Sequence, residues 1–191
     1  MSKLHFRYSA MNAGKSLDLI STAHNYKELG KNVLVLIPDV VGSGKVTSRA
    51  GLEVDATVIR HSDRLLDTVF LRAERIACIL VDEAQFLSES QVRELRVIAS
   101  IHDIPVICYG LRTDFTGSLF EGSKALLAVA DELQEKPTLC WCGKTARATL
   151  RIVNGIVTKD GESIVIKGQD DHIEYKSVCY RHFLRGEANI K

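Results

Sequence analysis

The feature that most constrains this chain is an eight-residue stretch near its amino terminus, Ser9-Ala10-Met11-Asn12-Ala13-Gly14-Lys15-Ser16. It matches the phosphate-loop pattern G-x-x-x-x-G-K-[ST], with a serine in the place of the first glycine. Alternating apolar and polar residues predict a strand over residues 4–8, and apolar residues at helical spacing predict a helix over residues 17–26. A strand, this loop and a helix, in that order, form the context in which N–H groups at a helix start attract phosphate.

The residues of the loop suit the binding of a nucleotide. Gly14 permits close approach of the backbone, Lys15 would reach the β- and γ-phosphates, and the Ser16 hydroxyl would bind Mg²⁺. The residues from Ser9 to Ala13 would surround the phosphates with backbone N–H groups. A Gly-Lys-Ser tripeptide is also common in ordinary surface loops, so this alternative stays open at this point.

Composition limits the classes of protein to which the chain can belong. It has 191 residues, of which 46% are hydrophobic, and a formal net charge of +1. This length suits one domain or one domain with a small appendage. The near-neutral charge argues against a mainly electrostatic binder of nucleic acid, and no apolar run is long enough to span a membrane. The first residues lack the apolar run of a signal peptide, so we expect a cytoplasmic protein.

Strand and helix patterns alternate along most of the chain. Buried-strand runs cover residues 32–37, 77–81 and 104–110, and helical spacing covers residues 65–72 and 124–130. Ser88 and Gln91 predict a capping box at the start of a further helix. Residues 38–51 are polar and glycine-bearing, and we expect a mobile loop. The alternation predicts an α/β fold, a mostly parallel sheet with helices like that of phosphate-loop NTPases.

The pattern changes after residue 138. Strand-like segments at residues 149–153, 163–166 and 178–182 are separated by the turn signals Asn154-Gly155 and Asp160-Gly161. We therefore divide the chain into a nucleotide-binding α/β domain, residues 1–138, and a small β-rich domain, residues 139–191.

A pair of carboxylates follows the third buried strand. Asp82 at a strand end has the Walker B arrangement, in which a carboxylate holds Mg²⁺ beside the phosphate loop. Glu83 would orient a water molecule in a hydrolase or accept a hydroxyl proton in a kinase. We expect Gln85, in the same stretch, to contact the cofactor. The plain alternative is a polar turn that ends a strand.

Two close pairs of metal-binding residues lie in the second domain, Cys140-x-Cys142 and Cys179-x-x-His182. Four such ligands make a closed tetrahedral zinc site of the structural kind, which would staple a domain too small to hold its own core. The alternative is two buried cysteine clusters and a surface histidine. Cys78 and Cys108 lie inside apolar strands and are expected to be core residues.

Four ordered motifs resemble those of the zinc-containing thymidine kinases, a family of cytosolic animal enzymes and many bacterial ones. They are YSAMNAGKS at 8–16, VDEAQF at 81–86, CYGLRTDF at 108–115 and Y-x-S-V-C at 175–179. The resemblance spans nearly the whole chain. It implies transfer of the ATP γ-phosphate to the 5′-hydroxyl of thymidine, with deoxyuridine as a further acceptor. It also implies a homotetramer inhibited by thymidine triphosphate, with ATP, Mg²⁺ and structural zinc as cofactors.

The resemblance also implies roles for individual residues. Glu83 falls on the catalytic base, Asp82 and Ser16 on the Mg²⁺ site, and Arg49 on an arginine near the transferred phosphate. The positions that would line the nucleoside pocket are Met11, Phe86, Leu111, Phe115, Phe120 and Tyr175. A lasso-like loop at about residues 164–175, fixed at its base by zinc, would close over the thymine. Two segments differ from the family pattern: residues 38–41, which lack an acidic-arginine cluster, and residues 166–172 of the lasso.

Two other classes of function compete with a nucleoside kinase. The first is a non-catalytic nucleotide- or nucleic-acid-binding module made of a phosphate-loop core and a zinc ribbon. The near-neutral charge and the full set of Mg²⁺ and base carboxylates argue against it. The second is a plain ATPase that acts through a protein partner, which would hydrolyse ATP without any nucleoside.

Overall fold

The computed structural model describes residues 1–42, 44–72, 74–161 and 172–189. Its larger part is a six-stranded sheet whose paired strands all run parallel. In chain order its strands are β1 (Leu4–Ser9), β2 (Val33–Pro38), β5 (Thr57–Ile59), β6 (Cys78–Val81), β7 (Val106–Leu111) and β8 (Glu132–Glu135). Their spatial order is β5-β2-β6-β7-β1-β8.

Helices cover both faces of this sheet. They are α1 (Lys15–Glu28), α2 (Leu65–Phe70), α3 (Glu89–Ile101) and α4 (Glu121–Val129). Alternate residues of the central strands face opposite sides, because successive side chains of a strand point to opposite faces. Leu36 and Ile79 pack with α2, α3 and α4, whereas Val35 and Leu80 pack with α1. The predicted α/β fold with a mostly parallel sheet is confirmed.

The predicted capping box at the start of α3 is confirmed, and the end of α1 is well defined in the structure. The Ser88 hydroxyl accepts from the N–H of Gln91 at 3.2 Å, and the Gln91 side chain accepts from the N–H of Ser88 at 3.1 Å, which completes the capping box of α3. Helix α1 ends at Glu28 and is followed, after Leu29, by Gly30 in the left-handed region with φ of 65°. These ends fix where each helix begins or stops relative to the sheet.

A smaller antiparallel region follows the sheet. Strand β9 (Thr138–Leu139) pairs with β10 (Thr145–Ala146), and β11 (Ala148–Val153) lies between β12 (Ile156–Thr158) and β13 (Ile173–Val178). Helix α5 (Tyr180–Arg185) packs on β11 and β13. We call residues 138–189 the small region. The division of the chain between residues 138 and 139 stays a prediction.

Three local predictions differ from the structure. Residues 38–51, expected to form a mobile loop, contribute β3 (Lys45–Thr47), which forms an antiparallel hairpin with β4 (Glu53–Asp55). The strand expected over residues 178–182 ends at Val178, and the chain continues as α5. Strand β8 was not predicted, because its exposed residues give no apolar signal. The strand expected at residues 163–166 and most of the lasso lie outside the described residues.

None of the described helices is long and apolar enough to cross a membrane.

Candidate active site

The phosphate loop connects β1 to α1 at the carboxyl edge of the sheet. Asn12 and Gly14 have positive φ values of 65° and 70°, which curl the backbone before the helix begins at Lys15. The Lys15 ammonium is buried and donates to the Ser9 hydroxyl at 2.9 Å and to the Ala10 carbonyl at 3.3 Å. Ser9, which stands where the pattern has glycine, therefore holds the lysine inside the loop.

Asp82 follows β6 at the same edge of the sheet and lies against the start of α1. The Ser16 hydroxyl donates to Asp82 Oδ2 at 2.9 Å. The other oxygen, Oδ1, is buried and has no hydrogen-bond partner within the described part of the chain. A buried carboxylate oxygen without a partner is costly, and a hard cation such as Mg²⁺ prefers oxygen ligands. The pair Ser16 and Asp82 therefore fits a Mg²⁺ ion.

Burial sets the electrostatics of these groups. Burial first, and the neighbouring Glu83 second, raise the pKa of Asp82 to about 6, although the Ser16 hydroxyl opposes the shift. Burial also lowers the pKa of Lys15, and the charges of Glu83 and Asp82 oppose that shift. A divalent cation beside Asp82 would favour its charged form, so that cation binding and ionisation of Asp82 support one another.

Glu83 adopts an uncommon backbone conformation and is held there by its neighbours. Its φ of 49° lies in the left-handed region, which costs a non-glycine residue on the order of 1 kcal/mol or more. The Gln85 amide donates to Glu83 Oε2 at 2.5 Å, and its oxygen accepts from the N–H of Leu111 at 3.0 Å. A Cβ at Gly110 would lie 2.8 Å from that amide oxygen. Gln85 thus aims the Glu83 carboxylate, and its predicted contact with the cofactor stays a prediction.

Two cavities meet at Glu83. The first, of about 550 Å³, is lined by all six residues expected at the nucleoside pocket: Met11, Phe86, Leu111, Phe115, Phe120 and Tyr175. The second, of about 460 Å³, is lined by the phosphate-loop residues from Met11 to Ser16 and by Arg49. Ser16 and Glu83 belong to the walls of both cavities. The fold therefore brings the predicted phosphate and nucleoside residues together on two sides of one carboxylate.

Aromatic side chains form much of the first cavity. Phe86 and Phe120 meet edge to face with ring centroids 5.5 Å apart. The Arg151 guanidinium lies over the ring of Phe115, 4.1 Å from its centroid. These flat apolar walls suit a planar aromatic ligand, and polar residues such as Gln85 and Thr149, which also line the cavity, can fix its orientation.

The four predicted metal ligands come together in the small region, and we call Cys140, Cys142, Cys179 and His182 the Cys₃His cluster. Their ligand atoms all lie within 4.8 Å of one another. His182 Nδ1 is 3.3 Å from the Cys140 sulfur and 3.5 Å from the Cys179 sulfur, and the sulfurs of Cys142 and Cys179 are 3.9 Å apart. Tetrahedral zinc would require about 3.6 Å for nitrogen to sulfur and about 3.8 Å between sulfurs. The cluster could therefore hold such an ion.

The surroundings of the Cys₃His cluster favour metal binding. Burial opposes ionisation of the Cys140 thiol, but backbone N–H groups of Cys142 and Cys179, with His182, lower its pKa to about 6. Glu187 lies 3.6 Å from His182 Nε2, the ring nitrogen that faces away from the sulfurs. A carboxylate in this position orients a metal-binding imidazole. Trp141, the one tryptophan of the sequence, stacks on His182 at a centroid distance of 4.3 Å.

Comparison with known proteins places the chain in a family. A family model described as thymidine kinase matches residues 2–183. The thymidine kinase of Shewanella oneidensis is 48% identical over 189 residues, which cover 96% of this chain and 97% of the relative. That of Haemophilus influenzae is 49% identical, with 96% of each chain covered. This chain belongs to the thymidine kinase family.

Several residues that line the two cavities were not predicted from the sequence. As a thymidine kinase family member, the chain places the β3–β4 hairpin beside its active site, so that Lys45 and Val46 line the nucleoside cavity. Thr47 lines both cavities, and the buried Thr149 of β11 lines the nucleoside cavity. The alternation of polar and apolar residues in Lys45-Val46-Thr47 was the sequence pattern that could have predicted strand β3 of the hairpin. No local signal marks Thr149, because only the packing of β11 brings it to the cavity.

Proposed function

We propose that this protein transfers the γ-phosphate of ATP to the 5′-hydroxyl of thymidine and so makes thymidine monophosphate for nucleotide salvage, with deoxyuridine as a further acceptor. The observation that carries the proposal is the position of Glu83 between a phosphate cavity and an aromatic nucleoside cavity. The names of the relatives support the choice of thymidine.

The phosphate cavity would hold ATP through the backbone N–H groups of residues 9–16 and through Lys15. Mg²⁺, held by Ser16 and Asp82, would neutralise charge on the β- and γ-phosphates. Lys15 stays near its place because Ser9 and Ala10 already hold its ammonium. Arg49, which lines the same cavity, would stabilise the charge that spreads over the transferred phosphoryl group.

Glu83 would act as the general base. The 5′-oxygen of thymidine attacks the γ-phosphorus, its proton passes to the Glu83 carboxylate, and the bond between the γ-phosphorus and the β,γ-bridging oxygen breaks to release ADP. Gln85 supports this role, because it holds Glu83 Oε2 and is itself fixed by the N–H of Leu111. A base held in place loses little entropy when the acceptor hydroxyl arrives.

The aromatic cavity would select a flat base. Phe86, Phe120, Phe115 and Tyr175 offer rings, and Met11 adapts to irregular surfaces. A pocket of this kind gains from a thymine methyl group through contact area. The expected lasso would close this pocket, but residues 164–171 lie outside the described part of the chain.

Further parts of the proposal follow from the family. We infer that the Cys₃His cluster holds structural zinc, that the enzyme forms a homotetramer in the cytoplasm, and that thymidine triphosphate inhibits it. The distances within the cluster support zinc. The inhibitor would use the same two cavities at once, since it joins the base of the product to a triphosphate.

The test is a panel of nucleosides with ATP and Mg²⁺, with the monophosphates quantified by chromatography. We expect product from thymidine and deoxyuridine and little from the others. Glu83→Gln is expected to lower turnover at least about 1,000-fold while ATP binding persists, and the matched variant Glu89→Gln, on the exposed start of α3, should keep full activity. No product with any nucleoside would reject the kinase and favour the nucleotide-binding module.

A further inference from the structure

Two hydroxyl groups of the small region reach across to the phosphate loop. The Ser177 hydroxyl donates to the Met11 carbonyl at 2.6 Å, and the Thr138 hydroxyl donates to the Asn12 carbonyl at 3.2 Å. The two acceptors are consecutive carbonyls of the loop that opens the phosphate cavity. The donors come from strands 39 residues apart in the chain, β9 and β13, which lie beside each other.

Each donor stands two residues before a member of the Cys₃His cluster. Thr138 precedes Cys140, and Ser177 precedes Cys179. In extended chain, residues two apart lie on the same face and are separated by only about 7 Å. A metal ion that draws Cys140 and Cys179 together would therefore also fix the separation and direction of the two hydroxyls.

The hydroxyls contact a part of the loop whose backbone conformation is unfavourable. Asn12 is exposed and has a φ of 65°, a conformation that costs a non-glycine residue on the order of 1 kcal/mol or more. No cis peptide occurs among the described residues, so the N–H of each peptide unit points opposite to its carbonyl. By holding the carbonyls of Met11 and Asn12, the small region therefore sets the direction of the N–H groups of Asn12 and Ala13.

We propose that Thr138 and Ser177 are positioning residues that couple metal binding at the Cys₃His cluster to nucleotide binding at the phosphate loop. The inference rests on the nucleotide binding of the proposed function, but not on the identity of the acceptor. With metal in the cluster, the hydroxyls hold the N–H groups in place before ATP arrives, and ATP loses less entropy in ordering them. Without metal, the two strands separate from the loop and ATP must order it alone.

Coupling of this kind is reciprocal, so it can be measured as a change in the affinity for metal when nucleotide is present. If metal raises the affinity for ATP by some factor, ATP raises the affinity for metal by the same factor. We would titrate the full-length, zinc-loaded protein with a chromophoric zinc chelator, with and without Mg²⁺ and the β,γ-imido analogue of ATP. For the wild type, the analogue is expected to raise zinc affinity roughly fivefold or more.

Matched variants separate coupling from stability. In Ser177→Ala/Thr138→Val the factor should fall to within about twofold of unity, because both hydroxyls are lost while the Cys₃His cluster is intact. The variant Ser177→Thr/Thr138→Ser keeps both hydroxyls and should keep most of the factor. Without the analogue, zinc affinity should be similar in the wild type and in Ser177→Thr/Thr138→Ser, and lower in the variant without hydroxyls, because the two hydrogen bonds form when metal binds. The analogue also binds zinc in solution, and the unaffected double variant measures that contribution directly.

A second readout follows the nucleotide. The KM for ATP should rise about tenfold in the variant without hydroxyls, while kcat at saturating ATP changes less, since the loss falls on ordering the loop. A purely structural role would lower the amount of folded protein instead. If the double variant does not fold, Thr138→Val alone, at the more accessible contact, must show a factor below that of the wild type.

Two results would overturn the inference: a wild-type factor of one, or a double variant that keeps the wild-type factor. Both can occur in an active kinase, so they do not touch the proposed function. Conversely, a protein that phosphorylates no nucleoside but shows hydroxyl-dependent coupling between zinc and nucleotide would uphold the inference and reject the kinase.

Discussion

The parallel sheet and the small region solve the problem of stability in different ways. The sheet buries two large apolar clusters, one on each face, with residues such as Leu80 and Leu95 fully inaccessible. The described residues of the small region form one cluster of nine buried residues, and two of these, Cys140 and Cys179, belong to the Cys₃His cluster. A core that includes its own metal ligands loses part of its packing when those ligands repel or separate. The sheet is stable through burial, whereas we expect the small region to need an ion.

Removal of the metal should have the largest effect of all the changes considered, and it should destabilise the small region but not the sheet. Metal binding in small domains supplies on the order of 10 kcal/mol, far more than nine buried side chains retain after entropy is subtracted. We expect Cys179→Ser to lose zinc, to expose the amides of β11 to rapid hydrogen exchange and to lower kinase activity at least about 100-fold. The amides of β6 and β7 should stay protected, as mass spectrometry after exchange can show.

The control for this variant is Cys78→Ala, which removes a buried thiol of the sheet. Cys78 lies in β6, in the core of the sheet, and is not one of the four residues of the Cys₃His cluster. Burial raises the pKa of its thiol to about 11. The control should retain one zinc per chain by elemental analysis. Rapid exchange in β6 and β7 of Cys179→Ser would show that the two regions unfold together.

A pair of leucine truncations sharpens the comparison. Leu80 in β6 and Leu150 in β11 are both fully buried, so either change to alanine removes about 2–5 kcal/mol of packing. We expect Leu80→Ala to lower the free energy of global unfolding in denaturant, with or without zinc. Leu150→Ala should instead lower zinc affinity about 30-fold or more, since folding of the small region is linked to its metal. If both variants lowered the free energy of global unfolding equally, the sheet and the small region would not be stabilised separately.

The carboxylate of the sheet's active site should reduce stability, in contrast to the ligands of the small region. The pKa of Asp82 is raised to about 6 by burial and by Glu83, so the folded protein keeps this proton up to about pH 6. The unfolded chain loses it near pH 4. Between these values the folded state binds more protons, and stability falls as pH rises.

The variant Asp82→Asn tests whether ionisation of Asp82 lowers the stability of the folded protein. Without Mg²⁺, the variant should become more stable than the wild type by on the order of 2 kcal/mol as pH rises from 4 to 7, while activity is lost. Mg²⁺ should raise the melting temperature of the wild type at pH 7 and leave that of the variant unchanged. The difference between the two proteins removes the contribution of titrating groups that lie far from Asp82. If the difference in unfolding free energy between the two proteins stayed constant from pH 4 to 7, the raised pKa of Asp82 would be refuted.

The smallest expected effects come from a matched pair of glycines. Gly30 follows the end of α1 and Gly155 lies in the β11–β12 turn, with φ values of 65° and 82°. A methyl group added at either position would have no atom of the described residues within 4 Å, its own chain neighbours aside. Alanine at either site therefore adds only backbone strain, about 1 kcal/mol. We expect Gly30→Ala to lower the denaturation midpoint and Gly155→Ala to weaken zinc binding about fivefold. If both variants shifted the midpoint of global denaturation, the sheet and the small region would unfold together.

Local patterns predicted much of the fold and of the site. Apolar runs predicted the three central strands β2, β6 and β7, because strands buried on both faces need apolar residues throughout. Alternating apolar and polar residues predicted β1. The edge strand β8 and the hairpin strand β3 escaped, since exposed positions place no such demand on the sequence. The segment after Val178 carries the aromatic residues Tyr180 and Phe183, which suit a strand, but it forms helix α5, which packs on β11 and β13.

The sequence by itself determined the chemical groups of this protein: a phosphate loop, a carboxylate pair and four metal ligands, each recognisable from short spacing. Tertiary structure alone decided how these groups relate. It placed Glu83 between two cavities, turned Gln85 onto it, and brought Ser177 to the Met11 carbonyl from 166 residues away. Spacing reports only neighbours along the chain, whereas contacts between distant segments depend on how whole strands and helices pack.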